Sequence, residues 1–242
     1  MPHRFFAASR PLVFAHRGGS ALAPENTMEA FANGLALGAD GLELDVHLSR
    51  DARVVVHHDR TLDRTTPLSG PVAARDAAEL GRAGVPRLAD VLRTHRDTRV
   101  IIELKVNSAA LARAVVDEVR AADAVDRVCA GSVARGVLRA VRALEPAMAT
   151  SAAREEVRWA LYRSWVRRPP GRVPYGGFQV PERAGATRVV SPNFVACVHR
   201  AGLAVQVWTV DTEGAAQRLL EWGVDALITD RPDIIVPLVR RA

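Results

Sequence analysis

Lysine is almost missing from this 242-residue chain: of 33 basic residues it supplies one, Lys105. Arginine serves wherever a generic cation suffices. A lone lysine two places after Glu103 is therefore read as kept for its compact ammonium, which a planar guanidinium does not copy. Cysteine is scarce as well. Cys129 and Cys197 lack CxxC spacing and each lies in an apolar stretch, so both are expected to be buried thiols. No apolar run approaches the ~18 residues of a membrane span. The opening segment, residues 1–7, is too short and too polar for a signal peptide, which makes the cytoplasm the expected location. Aromatic residues are only 5% of the chain and are not interleaved with the basic ones, so a net charge of +6 does not point to nucleic acid. It does suit an anionic small molecule. A dinucleotide fingerprint is lacking too: the turn after the first apolar run reads Arg17-Gly18-Gly19-Ser20, not GxGxxG.

What the chain does have is 48% apolar residues and an alternation of strand and helix patterns from end to end. Pro11–His16 reads as a buried strand. A helix follows, with Asn26 as N-cap, Glu29 completing a capping box, and Gly38 as the stop. Gly41–Leu48 is a second strand. The short polar stretch at residues 49–52 is too brief for a parallel crossover, so Arg53–His58 is expected to fold back as the arm of a hairpin. Residues 59–87, broken by Pro67, Gly70, Pro71, Gly81, Gly84 and Pro86, read as a loop-rich insertion with one short helix. Helices and strands then alternate to a last strand at Ala226–Thr229 and a closing helix at Pro232–Arg241. Leaving out the hairpin arm, eight strands alternate with helices. The expected fold is α/β: a single-domain (β/α)8 TIM barrel over 1–242, with a hairpin after strand 2 and a small insertion.

The second strand has two unlike faces. Leu42, Leu44, Val46 and Leu48 alternate with Glu43, Asp45 and His47, so Glu43 and Asp45 point the same way, roughly 7 Å apart along the backbone. Three further apolar runs also end in ionisable groups: His16 and Arg17, His57 and His58, Glu103 and Lys105. In a barrel, the carboxyl ends of the strands carry the chemistry. Three carboxylates aimed at one volume need a proton or a cation between them, and an all-oxygen set suits one hard divalent cation, Mg²⁺ or Ca²⁺. Two histidines beside a metal suit general acid and general base, and Arg17 offers a planar fork to a phosphate. Together these groups describe phosphoryl transfer from a diester. The hairpin brings His58 to the level of Glu43 and Asp45, but His57 and His58 alternate faces, so only one of them serves the site. His47 has no assigned role, while His3, His95 and His199 are read as structural.

The residues His16-Arg17-Gly18-Gly19, Pro24-Glu25-Asn26-Thr27, Glu43-Leu44-Asp45-Val46, His58-Asp59 with Leu62-Asp63-Arg64-Thr65-Thr66, Glu103-Leu104-Lys105, Val207-Trp208-Thr209-Val210 and Ile228-Thr229-Asp230-Arg231-Pro232 occur in this order. In combination they resemble the glycerophosphodiester phosphodiesterases. The resemblance implies a barrel of the phospholipase-C-like phosphodiesterase type. It makes His16 and His58 the acid–base pair, and it selects His58 over His57 because the family's histidine directly precedes the aspartate. It assigns Glu43, Asp45 and Glu103 to the metal, Arg17 and Lys105 to the phosphate, and Trp208 to the pocket wall. Residues 59–87 would be the insertion that covers the glycerol end. The implied reaction releases sn-glycerol 3-phosphate and an alcohol, the first nucleophile being either the glycerol 2-hydroxyl or water. One departure is visible: the turn Asp51-Ala52-Arg53 lacks the glycine common there.

Two other functions fit the same residues: a lysophospholipase D-type diesterase acting on lysophospholipids, and a non-catalytic ligand-binding barrel. For the first, Arg154–Arg172, with Trp159, Trp165 and clustered arginines, is where transient contact with a membrane surface would occur. An ordinary barrel helix and its loop is the favoured reading of that segment.

Overall fold

A computed structural model describes residues 3–241. The first two positions of the segment read above as lacking a leader lie outside the described residues. Strands β1 (Leu12–His16), β2 (Gly41–Leu48), β4 (Arg99–Leu104), β5 (Val128–Gly131), β6 (Ala149–Thr150), β7 (Gly177–Pro181), β10 (Ala204–Trp208) and β11 (Ala226–Thr229) form one parallel sheet in that order, with β11 returning to β1. The seam between β6 and β7 is bridged at Ser151 and Gly177, where the Ala152 N–H donates to the Gly177 carbonyl at 2.9 Å. The expected (β/α)8 barrel is therefore present. The arm β3 (Val54–Val56) lies antiparallel to β2, as the short link required.

Helices α1 (Met28–Ala36), α2 (Ala77–Arg82), α3 (Leu88–Thr94), α4 (Ala109–Ala121), α5 (Arg135–Leu144), α6 (Arg154–Trp165), α7 (Pro192–His199), α8 (Glu213–Glu221) and α9 (Pro232–Arg241) complete the alternation. Their apolar faces cover the outward side chains of the strands: Leu42, Leu44 and Val46 of β2 pack with Leu111, Val115 and Val119 of α4. Cys129 and Cys197 are buried free thiols, as expected. No helix of the described residues is long and apolar enough to cross a membrane.

One local reading is corrected, and two features without a sequence reading are added. The cap of α1 is Thr27, whose hydroxyl accepts the Ala30 N–H at 3.2 Å, so the capping box from Asn26 does not form. Asn26 takes a left-handed backbone (φ 58°) and its side chain turns to Asp45 instead. Residues 183–188, not read as structured, form a small hairpin of β8 (Arg183–Ala184) and β9 (Thr187–Arg188). The segment before β1 is part of the core. A 3-10 turn over Arg4–Phe6 inserts Phe5 and Phe6 against Leu12, Phe14, Ile101, Ala204 and Ala226. A side chain on Gly176 would strike the Phe6 ring, its Cβ coming 2.4 Å from Phe6 Cε2. This aromatic plug closes the amino-terminal end of the barrel.

The interior changes character along the barrel axis because alternate residues face inward. Phe14, Ile101, Cys129, Ala226 and Ile228 form its apolar base. Two residues further along the strands come His16, Glu103, Gly131 and Asp230. The site lies on that upper layer, over a packed floor.

Candidate active site

Strand register sets the first contacts. His16 pairs with Glu43 across β1 and β2, and Asp45 with Glu103 across β2 and β4. Ala15 pairs with Thr229, which puts the next residues, His16 and Asp230, side by side. All eight residues singled out from the sequence, His16, Arg17, Glu43, Asp45, His58, Glu103, Lys105 and Trp208, line one cavity of about 570 Å³. His58 faces that cavity. His57 turns away, and its Nε2 lies 3.0 Å from the Thr61 carbonyl.

Each cavity histidine is held by a carboxylate that sequence reasoning left without a role. His16 Nδ1 lies 2.7 Å from Asp230 Oδ1, and His58 Nδ1 lies 2.6 Å from Asp59 Oδ1. In both, Nδ1 is engaged and Nε2 is the nitrogen left for substrate. Asp230 also takes the Ser20 hydroxyl. It is set in place by its own N–H, which donates to Asp211 Oδ1 at 2.8 Å. Asp59 is gripped by Arg64 Nε at 2.7 Å, and the same guanidinium takes Glu25 with both Nη atoms, at 3.0 and 2.7 Å. Glu25 in turn meets Arg17 Nη1 at 3.2 Å. Arg64 thereby fastens the insertion to the catalytic end of the barrel. His47 sits below, its Nε2 3.2 Å from the His58 carbonyl. Burial lowers its pKa, so it is a neutral donor that fixes the backbone carrying His58.

The charges are unevenly shared. Asp45 is buried and receives both cations, Lys105 Nζ at 3.2 Å and Arg17 Nε at 3.3 Å. Asn26 adds a hydrogen bond to Asp45 at 3.0 Å. Burial opposes its charge, but Lys105 and Arg17 outweigh that and hold its pKa below the ordinary carboxylate value. For Glu43 and Glu103 the neighbouring cations do not outweigh burial. Burial, then the neighbouring Asp45 charge, pushes Glu43 up to about 7. Burial, opposed by Lys105 and reinforced by Asp45 and Glu43, pushes Glu103 up to about 8. For His16, burial works against a proton, yet Glu43 and Asp230 prevail and its pKa is raised. Arg17 Nε lies within ion-pair distance of Asp45 but is not aligned for a hydrogen bond to it.

Among the described residues, no three His, Cys, Asp or Glu side chains are drawn together closely enough to grip a metal ion as they stand. The donor chemistry fits a hard cation all the same. Glu43, buried, and Glu103, partly buried, are carboxyls short of positive charge, and a divalent ion beside them and Asp45 would relieve that imbalance with oxygen ligands alone.

A closed parallel barrel with histidine–carboxylate pairs, an arginine and a lysine at its carboxyl end is a hydrolase scaffold shaped for an anionic phosphoester. Residues 16–234 match the Glycerophosphoryl diester phosphodiesterase family. The chain is 35% identical over 240 residues to the probable glycerophosphodiester phosphodiesterase 2 of Mycobacterium tuberculosis, covering 93% of this chain and 89% of that one. Among solved structures it is similar to a glycerophosphodiester phosphodiesterase from Agrobacterium tumefaciens, with 27% identity, TM-score 0.78, and 94% and 99% of the two chains covered. It shares its fold with an Oleispira antarctica phosphodiesterase in complex with the product sn-glycerol-3-phosphate, with 24% identity, TM-score 0.76, and 96% and 97% covered. The chain belongs to the glycerophosphoryl diester phosphodiesterase family and is thus a phosphoric diester hydrolase.

Proposed function

We propose that the protein hydrolyses glycerophosphodiesters to sn-glycerol 3-phosphate and an alcohol, with His16 and His58 as the acid–base pair and one divalent cation, Mg²⁺ or Ca²⁺, held by Glu43, Asp45 and Glu103. The observation that carries this reading is the paired anchoring of the two histidines. Each is fixed at Nδ1 by its own aspartate, Asp230 or Asp59, on a cavity that also contains Arg17 and Lys105. One imidazole removes a proton from the attacking oxygen, of water or of the glycerol 2-hydroxyl, as that oxygen bonds to phosphorus. The other delivers a proton to the alcohol oxygen as its bond to phosphorus breaks. Where the glycerol 2-hydroxyl attacks, water then opens the resulting cyclic phosphate to give the monoester. Arg17 and Lys105 meet the non-bridging oxygens, where negative charge accumulates. When bound, the cation supplies further charge neutralisation at that phosphoryl group. Trp208, half-exposed at the end of β10, forms part of the wall.

The outer part of the cavity favours a second substrate class. Val157, Leu161, Tyr162, Trp165 and Val189 make its wall apolar, which would accommodate the acyl chain of a lysophospholipid. Turnover of glycerophosphocholine compared with its acylated form separates the two substrate readings. Release of glycerol 3-phosphate by the wild type, and its loss in His16→Ala and His58→Ala with unchanged thermal unfolding, tests the acid–base assignment. Wild-type turnover in either variant refutes that assignment.

A further inference from the structure

Helix α6 hides little of itself. Only Ala160, Leu161 and Ser164 of its twelve residues are buried. Trp159, Tyr162, Trp165 and Val166 are 57%, 51%, 62% and 67% exposed. At spacings of three and four these four side chains share one helix face. The Tyr162 and Trp165 rings are in contact, with centroids 5.0 Å apart, and Arg163 lies over the Trp159 ring at 5.6 Å. This is a continuous aromatic patch on the surface, larger than scattered single exposures explain.

Its rim is basic. Arg158, Arg167, Arg168 and Arg172 are exposed, and among the described residues none has a carboxylate within ion-pair distance. Exposed arginines without a carboxylate partner among the described residues also occur elsewhere, Arg60, Arg96 and Arg139 among them; what marks those near α6 is that they cluster beside exposed aromatic rings. On α6 itself, Glu156 is taken up by Arg142 at 2.9 Å. The patch also borders the site, because Arg158, Tyr162 and Trp165 line the cavity that contains His16 and His58. Tryptophan and tyrosine favour the head-group layer of a bilayer, and unpaired arginines beside them favour anionic head groups. A second copy of this chain would set the same arginines against each other, so the charge argues against self-association.

We propose that the outer face of α6 docks the protein on an anionic phospholipid surface, so that the mouth of the active-site cavity opens against lipid. The docking stands apart from the hydrolysis proposed above. Only its use, drawing substrate from that surface, rests on that reading.

The test is flotation with phosphatidylcholine vesicles with or without phosphatidylglycerol, together with quenching of tryptophan fluorescence by brominated lipid. The wild type is expected to bind only the anionic vesicles, to lose binding as salt rises, and to show quenching. The variant Trp159→Ser with Arg167→Gln and Arg168→Gln alters no residue of the cavity wall. It should unfold at the wild-type temperature, turn over soluble glycerophosphocholine as the wild type does, and bind anionic vesicles at least about thirtyfold more weakly, about fivefold for each arginine. Equal binding to neutral vesicles, no binding to either, a folded variant that binds like the wild type, or a wild-type dimer that the variant dissolves would each overturn the proposal. A wild type that binds vesicles yet releases no glycerol 3-phosphate would leave the docking intact and remove the hydrolytic reading instead.

Discussion

The pairing of His16 with Asp230 gives a quantitative prediction. The contact is a 2.7 Å hydrogen bond from the ring to a carboxylate oxygen, and that carboxylate is itself anchored through Asp211. A hydrogen bond to a charged group contributes about 1.5–3 kcal/mol, against about 0.5–1.5 kcal/mol for a neutral one. Asp230→Ala removes the whole contribution just when His16 must carry or release a proton. With about 1.4 kcal/mol per decade of rate, kcat should fall roughly ten- to a hundredfold while KM changes little. Asp230→Asn keeps the shape and loses the charge, so it should cost about tenfold. The effect must run through the imidazole. In a His16→Ala background, adding Asp230→Ala should therefore remove almost nothing further. The assay is release of glycerol 3-phosphate at saturating glycerophosphodiester, with thermal unfolding as the control for folding. A single Asp230→Ala variant within about twofold of wild type, or a loss as large in the His16→Ala background as in the wild type, would refute the positioning role.

Three further predictions concern the frame of the site. Ala52 occupies a left-handed turn position (φ 57°) where the resemblance led us to expect glycine; Ala52→Gly should stabilise the fold by about 1 kcal/mol and raise Tm by roughly 2–4 °C in a thermal scan. Phe5→Ala should cost about 3–5 kcal/mol, because Phe5 is fully buried and stacks on Phe14 at 5.8 Å; a loss under about 1 kcal/mol by denaturant unfolding would show that the plug is dispensable. The hydrogen bond to Asp225 raises the His199 pKa above its ordinary value, against burial. The stabilisation is therefore fully present below about pH 6.5 and fades as pH rises through the folded-state pKa. His199→Gln should lower Tm near pH 5.5 more than near pH 9. The difference should stay below about 1 kcal/mol, since both partners are substantially exposed.

Much of this protein is legible in its sequence because the barrel repeats a local pattern. Every inward-facing ionisable residue on β1, β2 and β4 follows from alternation along a strand, and parallel register does the rest, setting Asp45 beside Glu103. The five-residue link between β2 and β3 made the fold-back of β3 unavoidable. What stayed hidden depends on contacts far apart in the chain. Asp230 reaches His16 across 214 residues, and Arg64 reaches Glu25 across 39, so their motifs were visible while their roles were not. Asn26 and Thr27 are both good N-caps, and the choice falls to Thr27 because Asp45 draws the Asn26 side chain away. The plug made by Phe5 and Phe6 carries no periodic signal in so short a segment. The strand at β6, by contrast, is counted among the eight although only two of its residues are extended. Exposure of Trp159 and Trp165 was unreadable as well, since aromatics at helical spacing ordinarily face a core.

The central claim is that carboxylates from β2 and β4 meet a divalent ion beside two anchored imidazoles. The most direct measurement is the rate of glycerol 3-phosphate release from glycerophosphocholine after chelation, then with Mg²⁺ or Ca²⁺ restored, for the wild type and for Glu43→Gln. The account predicts that the wild type loses activity on chelation and regains it with the ion, and that Glu43→Gln needs a higher ion concentration to do the same. Full activity in the presence of chelator, or an identical metal response in Glu43→Gln, would contradict it.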